Sequence, residues 1–347
     1  MCLKDMHLPI PALSSPFRIG HVDIRNRVAL APMSGVTDLP FRRLAWRFGA
    51  GFVVTEMVAS RELVGNAQES WARLKNSGIK PHIVQLAGRE AHWMVEAAKI
   101  AADNGADIID INMGCPAKKV TGGYSGSALM RDPDHALSLV EATVNAVDVP
   151  VTLKMRLGWD ENSLNAPLIA SRAEAAGVKA ITVHGRTRMQ FYNGKADWDA
   201  IRRVREVITV PLVANGDVET VADAEEILRR SGADAVMAGR SSQGRPWHIG
   251  LLAGSVAHPK QAEVADIFSE HYEMMLEFYG VEVGLRHARK HVAWYLDRFA
   301  PGVAGTDKAA ILTSADPRFV SAKADAAIRE AVPAKTQGAV AAEGLAA

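Results

Sequence analysis

The feature that most constrains this chain is a regular alternation of short apolar runs and longer helical patterns between residues 28 and 239. Runs of four or five residues that are rich in apolar side chains and bounded by turn formers are typical of buried parallel strands. The chain has eight of them: Val28–Pro32, Phe52–Thr55, Ile83–Leu86, Ile108–Asn112, Val151–Met155, Ala180–His184, Leu212–Asn215 and Ala235–Gly239. Helical patterns lie between them, as in Ala91–Asn104, Pro133–Ala146 and Val221–Ser231. This alternation predicts an α/β fold, a (β/α)8 TIM barrel.

A doubly wound sheet is the competing architecture, and the turn after the first strand disfavours it. Dinucleotide-binding sheets place a Gly-x-Gly-x-x-Gly turn at that point. Here the strand leads into Pro32-Met33-Ser34-Gly35, which lacks that glycine spacing.

The alternation stops after Trp247, and residues 261–300 have helical periodicity without strands. We therefore predict a barrel domain over residues 15–247 and a C-terminal all-helical domain over residues 261–320. Residues 321–347 are rich in alanine with scattered charge, and we predict a disordered tail there.

Composition excludes several classes of protein. Of the two cysteines, Cys2 and Cys115, neither belongs to a Cys-x-x-Cys pair, so neither a disulfide framework nor a cysteine-based metal site is expected. No apolar run approaches the roughly 20 residues that cross a bilayer, and no signal peptide is evident. We expect a cytoplasmic protein without a membrane, a metal or an obligate protein partner. Because the net charge is only +1, a nucleic-acid partner would need a local basic patch.

Polar side chains occur where barrel strands should be apolar. Alternate residues of a strand share a face, so Lys154 and Arg156 point the same way. Two adjacent cations at a barrel mouth would cost several kcal/mol of desolvation unless an anion faced them. One interpretation is an ion pair with a carboxylate such as Asp110. We favour the other, a cationic wall facing a ligand, because active sites of this fold lie at the carboxyl ends of the strands.

Other strands end in polar residues as well. Gln85, Asn112 and His184 occupy the ends of three further strands. The last two strands lead into Asn215-Gly216-Asp217 and Gly239-Arg240, where backbone N–H groups commonly bind phosphate. Each signal alone is weak, but together they predict a site for a phosphorylated ligand.

A single interior cysteine, Cys115, follows the fourth strand between Gly114 and Pro116. A lone thiol at a strand end is placed for chemistry rather than for crosslinking, and a nucleophile is the first interpretation.

Taken together, these segments resemble the tRNA-dihydrouridine synthase family, and most closely its bacterial B subgroup, over residues 15–320. The matching segments are 31–38 (APMSGVTD), 111–116 (INMGCP), 153–156 (LKMR), 183–187 (VHGRT), 214–217 (ANGD), 239–240 (GR) and 243–247 (QGRPW).

The resemblance implies an enzyme that binds FMN, takes electrons from NADPH and reduces uridine to 5,6-dihydrouridine in the D-loop of tRNA. It places Cys115 as the catalytic acid that protonates uracil C5 after hydride reaches C6, with Asn112 and Arg156 contacting the uracil. The implied FMN contacts are Pro32, Met33, Ser34, Gln85, Lys154, His184, Asn215, Gly216, Asp217, Gly239 and Arg240.

A local basic patch completes this interpretation. Arg286, Arg289 and Lys290 share one helix face, and we expect that face to contact tRNA. An acidic stripe on the preceding helix, running from Glu263 to Glu277, should face away from it.

Two alternatives stay open at this point. An FMN-dependent enzyme similar to dihydroorotate dehydrogenase also reacts at a pyrimidine C5–C6 bond, but it would not need a helical domain with a basic face. A non-catalytic RNA-binding barrel would not need Cys115, Lys154, Arg156 and His184 together.

Overall fold

The computed structural model describes residues 10–76 and 78–331 and divides into two compact units between Ala257 and His258. The first unit begins with a hairpin and continues with a ring of parallel strands. In chain order the strands are β1 (Phe17–Ile19), β2 (Val22–Ile24), β3 (Val28–Leu30), β4 (Phe52–Val53), β5 (Val58–Ala59), β6 (Ile83–Ala87), β7 (Ile108–Met113), β8 (Val151–Arg156), β9 (Ala180–His184), β10 (Leu212–Asn215) and β11 (Ala235–Ala238).

The parallel strands pair in the order β4-β3-β11-β10-β9-β8-β7-β6-β5. The segments β4 and β5 together form the second barrel strand. β5 pairs with β6, and Val54, directly after β4, makes a parallel bridge to Ile83 of the same strand. The ring of pairings therefore closes, and the predicted (β/α)8 architecture is confirmed.

Two apolar clusters follow from the alternation of side chains along each strand. Val28 and Leu30 point outward into the large cluster under the helices, whereas Ala29 and Ala31 point into the barrel. Ile19 and Ile24 of the β1–β2 hairpin join the inner cluster, so the hairpin closes one end of the barrel. The carboxyl ends of the strands form the other end.

The described residues of the first unit form ten α-helices: α1 (Leu39–Arg47), α2 (Ser60–Val64), α3 (Gln68–Leu74), α4 (Ala91–Asp103), α5 (Lys118–Thr121), α6 (Pro133–Val144), α7 (Ala166–Ala175), α8 (Trp198–Arg205), α9 (Val221–Ser231) and α10 (His248–Leu252). Their ends follow capping chemistry that the sequence carries. Helix α9 begins at a Thr220–Asp223 capping box and ends at Gly232 in the left-handed conformation. The helix predicted at Val221–Ser231 is confirmed at both ends.

The described part of the second unit, residues 258–331, has helices without strands: α11 (Gln261–Tyr279), α12 (Val281–Phe299), α13 (Gly305–Thr313) and α14 (Pro317–Glu330). Gly280, with a φ of 77°, separates the first two helices. Apolar and aromatic side chains, among them Phe268, Met275 and Tyr295, are buried between them.

The tail predicted from residue 321 is wrong for residues 321–330, which form most of α14. Val320, Ala324 and Ile328 recur at helical spacing and are buried, and this short apolar stripe is enough to order the helix. Residues 332–347, and Cys2 with its neighbours, lie outside the described part of the chain. Within the described residues, no helix has the length and apolar character needed to cross a membrane.

Candidate active site

A cavity of about 460 Å³ opens at the carboxyl ends of the barrel strands. All the residues of the barrel that were predicted from the sequence line it: Pro32, Met33, Ser34, Gln85, Asn112, Cys115, Lys154, Arg156, His184, Asn215, Gly216, Asp217, Gly239 and Arg240. The structure thus brings together residues from seven strands and their loops, as expected for this fold.

The cations of β8 enter the cavity because of strand alternation. Leu153 and Met155 pack outward in the large apolar cluster, so Lys154 and Arg156 point inward. The register opposes Lys154 to Asn112 on one neighbouring strand and to Thr182 on the other.

Lys154 does not pair directly with Asp110. Its Nζ donates to Oδ1 of Asn215 at 3.1 Å, and Asn215 in turn donates to the carbonyl oxygen of Met237 at 2.7 Å. Burial, together with the nearby charge of Arg156, lowers the pKa of Lys154 to about 8. A buried ammonium held by a neutral amide favours an anionic or electron-rich ligand group beside it.

Arg156 is held by three carbonyl oxygens. Its Nε donates to Gly114, and its Nη1 donates to Thr187 and Phe191, each at 2.8 Å. Burial lowers the pKa of Arg156 to about 10, so the group stays charged at neutral pH. Since these bonds use only Nε and Nη1, the fixed guanidinium keeps Nη2 as a donor for a ligand.

A chain of polar side chains lies beneath the cavity. Asp110 accepts hydrogen bonds from Gln85 and from Thr152, each at 2.7 Å. Gln85 accepts from Asn112 at 2.7 Å, and Asn112 accepts from the backbone N–H of Cys115 at 3.0 Å. Burial raises the pKa of Asp110, and its two hydrogen bonds partly oppose that shift.

Cys115 is partly exposed and lines the cavity beside Asn112. Its carbonyl oxygen accepts from the backbone N–H and the hydroxyl of Ser127, at 3.1 and 2.9 Å. Gly126 passes so close that a Cβ there would lie 2.9 Å from that oxygen. The backbone of the cysteine is therefore fixed on both sides, which orients its thiol.

The other end of the cavity carries glycines and cations. Gly216 and Gly239 line it together with Arg240. At Gly239 a Cβ would lie 3.3 Å from Sδ of Met33, so glycine keeps the backbone bare beside the cavity. Bare backbone next to a guanidinium is suited to an anionic group.

Asp217 uses its carboxylate inside the protein rather than toward the cavity. Arg186, which is 1% exposed, donates to both carboxylate oxygens at 2.9 and 2.6 Å, and Arg240 donates to one of them at 3.1 Å. Burial acts against this charge, but the hydrogen bonds from Arg186 and Ala196 bring the pKa of Asp217 below its ordinary value.

His184 is neutral in this surrounding. Burial, followed by the charges of Arg156, Lys154 and Arg186, lowers its pKa well below the ordinary value. The Nη1 of Arg186 lies 3.4 Å from Nε2 of His184. An arginine can only donate, so Nε2 is the acceptor and Nδ1 carries the proton.

Several cavity residues were not predicted as site residues from the sequence. Phe191 and Tyr192 lie in the loop after β9, and the guanidinium carbons of Arg156 and Arg240 lie 5.6 and 4.9 Å from the ring of Tyr192. Arg186 holds Asp217 without lining the cavity itself, and the sequence had identified it only as part of a motif. The three residues follow His184 within eight positions, so the loop after a polar strand end was the available signal.

The predicted basic patch lies on α12 in the second unit. Arg286 and Arg289 are exposed, and Lys290 is half-buried. Arg286 lies 3.7 Å from Glu282. On α11, Asp266 of the acidic stripe pairs with Arg329 of α14, which neutralises part of that stripe. In the described part of the chain, no group of acidic, histidine or cysteine side chains is arranged to hold a metal ion.

Comparisons with known proteins identify the family of this chain. The family model of dihydrouridine synthase matches residues 29–319. A probable tRNA-dihydrouridine synthase of Rhizobium leguminosarum bv. phaseoli is 76% identical over 302 residues, which cover 87% of this chain and 95% of the relative. The tRNA-dihydrouridine synthase B of Proteus vulgaris is 47% identical over 294 residues, covering 82% of this chain and 90% of the relative.

A solved structure, TcOYE with pHBA, has the same barrel fold. Its TM-score is 0.54 at 15% identity, and the match covers 73% of this chain and 96% of that one. At this identity the likeness concerns the fold alone.

Proposed function

The chain belongs to the dihydrouridine synthase family, and we propose that it uses FMN and NADPH to reduce uridine to 5,6-dihydrouridine in the D-loop of tRNA. The observation that carries this proposal is the composition of one cavity. Lys154 and Gln85 lie at its floor, bare glycine backbone and Arg240 lie at one end, and Cys115 lies at the rim.

The residues present fit a flavin mononucleotide. Met33 and Pro32 offer an apolar side to a ring system, and Lys154 and Gln85 offer hydrogen-bond donors to a pyrimidine edge. Gly239 and Arg240 offer the small volume and positive charge that a terminal phosphate requires. When bound, FMN would supply the hydride for C6 of uracil, and NADPH would restore its reduced form.

Lys154 would stabilise negative charge in that cavity. Its ammonium is buried, fixed by Asn215 and surrounded by few other anions, so its field acts on a ligand with little screening. His184 would donate from Nδ1 without adding a charge of its own.

Cys115 would be the proton donor for uracil C5. Hydride addition at C6 makes C5 basic, and a neutral thiol held beside it can give up its proton. Asn112 and Arg156 would bind the uracil, because both line the cavity next to Cys115 and keep N–H groups available. Removing the target base from its stack would admit it to the barrel mouth.

The helical unit would bind tRNA through Arg286, Arg289 and Lys290. These cations supply local positive charge on a chain whose net charge is only +1. Asp266, engaged by Arg329, belongs to the surface that we expect to face away.

The decisive experiment maps dihydrouridine in tRNA from cells with and without this gene. We expect loss of dihydrouridine at one or more D-loop positions and its return on complementation. Unchanged dihydrouridine at every position would contradict the proposal. The purified protein should also be yellow with flavin absorbance, and NADPH should bleach that absorbance.

A further inference from the structure

Asp110 is a buried carboxylate with no role in the reaction described above. It is 4% exposed and lies one inward position below Asn112 on β7. Both of its oxygens are used: Oδ2 accepts from Nε2 of Gln85, and Oδ1 accepts from the hydroxyl of Thr152. Placing a carboxylate here is costly, which calls for a reason beyond packing.

The carboxylate determines which way the amide of Gln85 points. Both carboxyl oxygens of Asp110 act as acceptors, Oδ1 from Thr152 and Oδ2 from Gln85, so the atom of Gln85 that faces Asp110 is the nitrogen. The oxygen of Gln85 then faces Asn112, which must present its own nitrogen, as observed at 2.7 Å.

The opposite end of the chain has the opposite polarity. The backbone N–H groups of Gly114 and Cys115 can only donate, and both face Oδ1 of Asn112, at 3.2 and 3.0 Å. Two backbone donors at one end and an accepting carboxyl oxygen at the other allow a single arrangement of both amides.

One N–H of each amide remains outside this chain. The nitrogen of Gln85 has given one hydrogen to Asp110, and the nitrogen of Asn112 has given one to Gln85. Both residues line the cavity, so each has one donor left for a ligand.

We propose that Asp110 is a positioning residue that makes Gln85 and Asn112 hydrogen-bond donors toward the cavity and, through Asn112, fixes the backbone of Cys115. Ligand edges that meet these two amides must therefore carry acceptors, such as the ring carbonyl oxygens of a pyrimidine. The identity of the ligands rests on the proposed function, but the internal hydrogen-bond chain does not.

The first test compares Asp110→Leu with Asp110→Asn in a Cys2→Ser background. An asparagine at position 110 can accept from Gln85 with its oxygen and donate to the Thr152 hydroxyl. We therefore expect an FMN affinity and a rate of Cys115 alkylation close to those of the wild type. A leucine can do neither. We expect its FMN dissociation constant to rise about tenfold, the equivalent of one lost hydrogen bond. Alkylation of Cys115 by iodoacetamide in the flavin-free protein should become several-fold faster.

The second test reverses the chain with Gln85→Glu and then repairs it with Gln85→Glu plus Asp110→Asn. The single variant sets two carboxylates against each other, and Cys115 alkylation at pH 8 should accelerate. In the double variant the amide at position 110 donates to the carboxylate at position 85, while Thr152 and Asn112 keep their bonds. Cys115 alkylation and thermal stability should then return close to wild type. FMN affinity should stay low, because position 85 no longer offers a donor.

Two outcomes would overturn the proposal. One is that Asp110→Asn weakens FMN binding and accelerates Cys115 alkylation as much as Asp110→Leu does. The charge at position 110, rather than the direction of its hydrogen bonds, would then matter. The other is that the double variant alkylates as fast as Gln85→Glu alone. If Asp110→Leu does not fold, the other three variants still decide. A protein that bound no FMN would contradict the proposed function and leave the alkylation results valid.

Discussion

At the scale of single residues, the site depends on side chains whose position and surroundings the barrel determines. Lys154 lies among other cations and yet donates to a neutral amide, so its charge is available to a ligand. Cys115 has its backbone fixed on both sides while its thiol lines the cavity. Each residue therefore supplies one function that a single substitution can remove.

Replacing Cys115 with alanine should slow uridine reduction by about 100-fold or more, the usual contribution of a general acid. Single-turnover reduction of tRNA by the pre-reduced enzyme measures this step. Bleaching of the flavin by NADPH should keep its wild-type rate, which serves as the internal control. Full activity in the variant would refute the acid role, whereas slow residual turnover through water would not.

Lys154 predicts how FMN affinity depends on pH. The pKa of Lys154 is about 8 in the ligand-free protein, so its charge is present below pH 8 and is lost above it. A phosphate group has its second pKa near 6 and is about 99% doubly ionised from pH 8 upward. The association constant of FMN should therefore fall as pH rises from 8, because the cation is lost.

Fluorescence titration with FMN between pH 7 and 10 measures this dependence, and Lys154→Met is the control. At pH 7 the variant should bind FMN more weakly than the wild type, by a factor of about ten or more. Its association constant should not show the decrease above pH 8 that the loss of the Lys154 charge causes in the wild type. Equal pH dependence in both proteins would contradict the assignment.

At the scale of elements, the strand ends and the helix faces supply different functional surfaces. The carboxyl ends of β3 and of β6 to β11 supply the cavity, and α12 supplies two exposed cations, Arg286 and Arg289, with the half-buried Lys290. The acidic residues of α11 lie on a different helix from these cations, and one of them, Asp266, pairs with Arg329 of α14. We therefore expect the effect of a charge-reversing substitution on tRNA binding to depend on the helix that carries it.

Reversing Arg286, Arg289 and Lys290 to glutamate should weaken tRNA binding and flatten its salt dependence. Each phosphate contact contributes roughly 0.7–0.9 to the slope of log K against log salt. Filter binding at several salt concentrations measures both quantities. The matched control reverses Lys75, Lys99 and Arg203, exposed cations on or next to helices of the first unit. An unchanged slope in the α12 variant would contradict the tRNA-binding role.

At the scale of the whole molecule, each unit carries its own buried histidines. His271 and His291 lie with ring centroids 4.8 Å apart in the helical unit. Burial lowers the pKa of His271 to about 3 and that of His291 well below its ordinary value. In the barrel, burial lowers the pKa of His82 to about 4.

These shifts predict a loss of stability in acid. Below pH 6.5 the unfolded chain binds protons that the native histidines do not, so the free energy of unfolding falls with pH. Between pH 6.5 and 5.5, His271 and His291 together should cost about 2 kcal/mol. Urea unfolding followed by circular dichroism measures this, and His271→Leu/His291→Leu should remove most of that loss. If the free energy of unfolding of the double variant fell as much as that of the wild type over this pH range, the assignment to His271 and His291 would be contradicted.

The sequence by itself determined the barrel and many of the residues of its cavity, though not Phe191 and Tyr192. Period-two alternation directs Lys154 and Arg156 inward, and parallel strands in a closed ring bring their carboxyl ends together, so strand order was enough to place them. The tertiary structure decided which side chains form hydrogen bonds and ion pairs with one another. Gln85 meets Asp110 across 25 residues of chain and Arg186 meets Asp217 across 31, and no local pattern encodes such pairs. It also ordered residues 321–330, because α14 is held by packing rather than by composition. Local periodicity fixes which way a side chain points, whereas the group that it meets depends on how distant strands align.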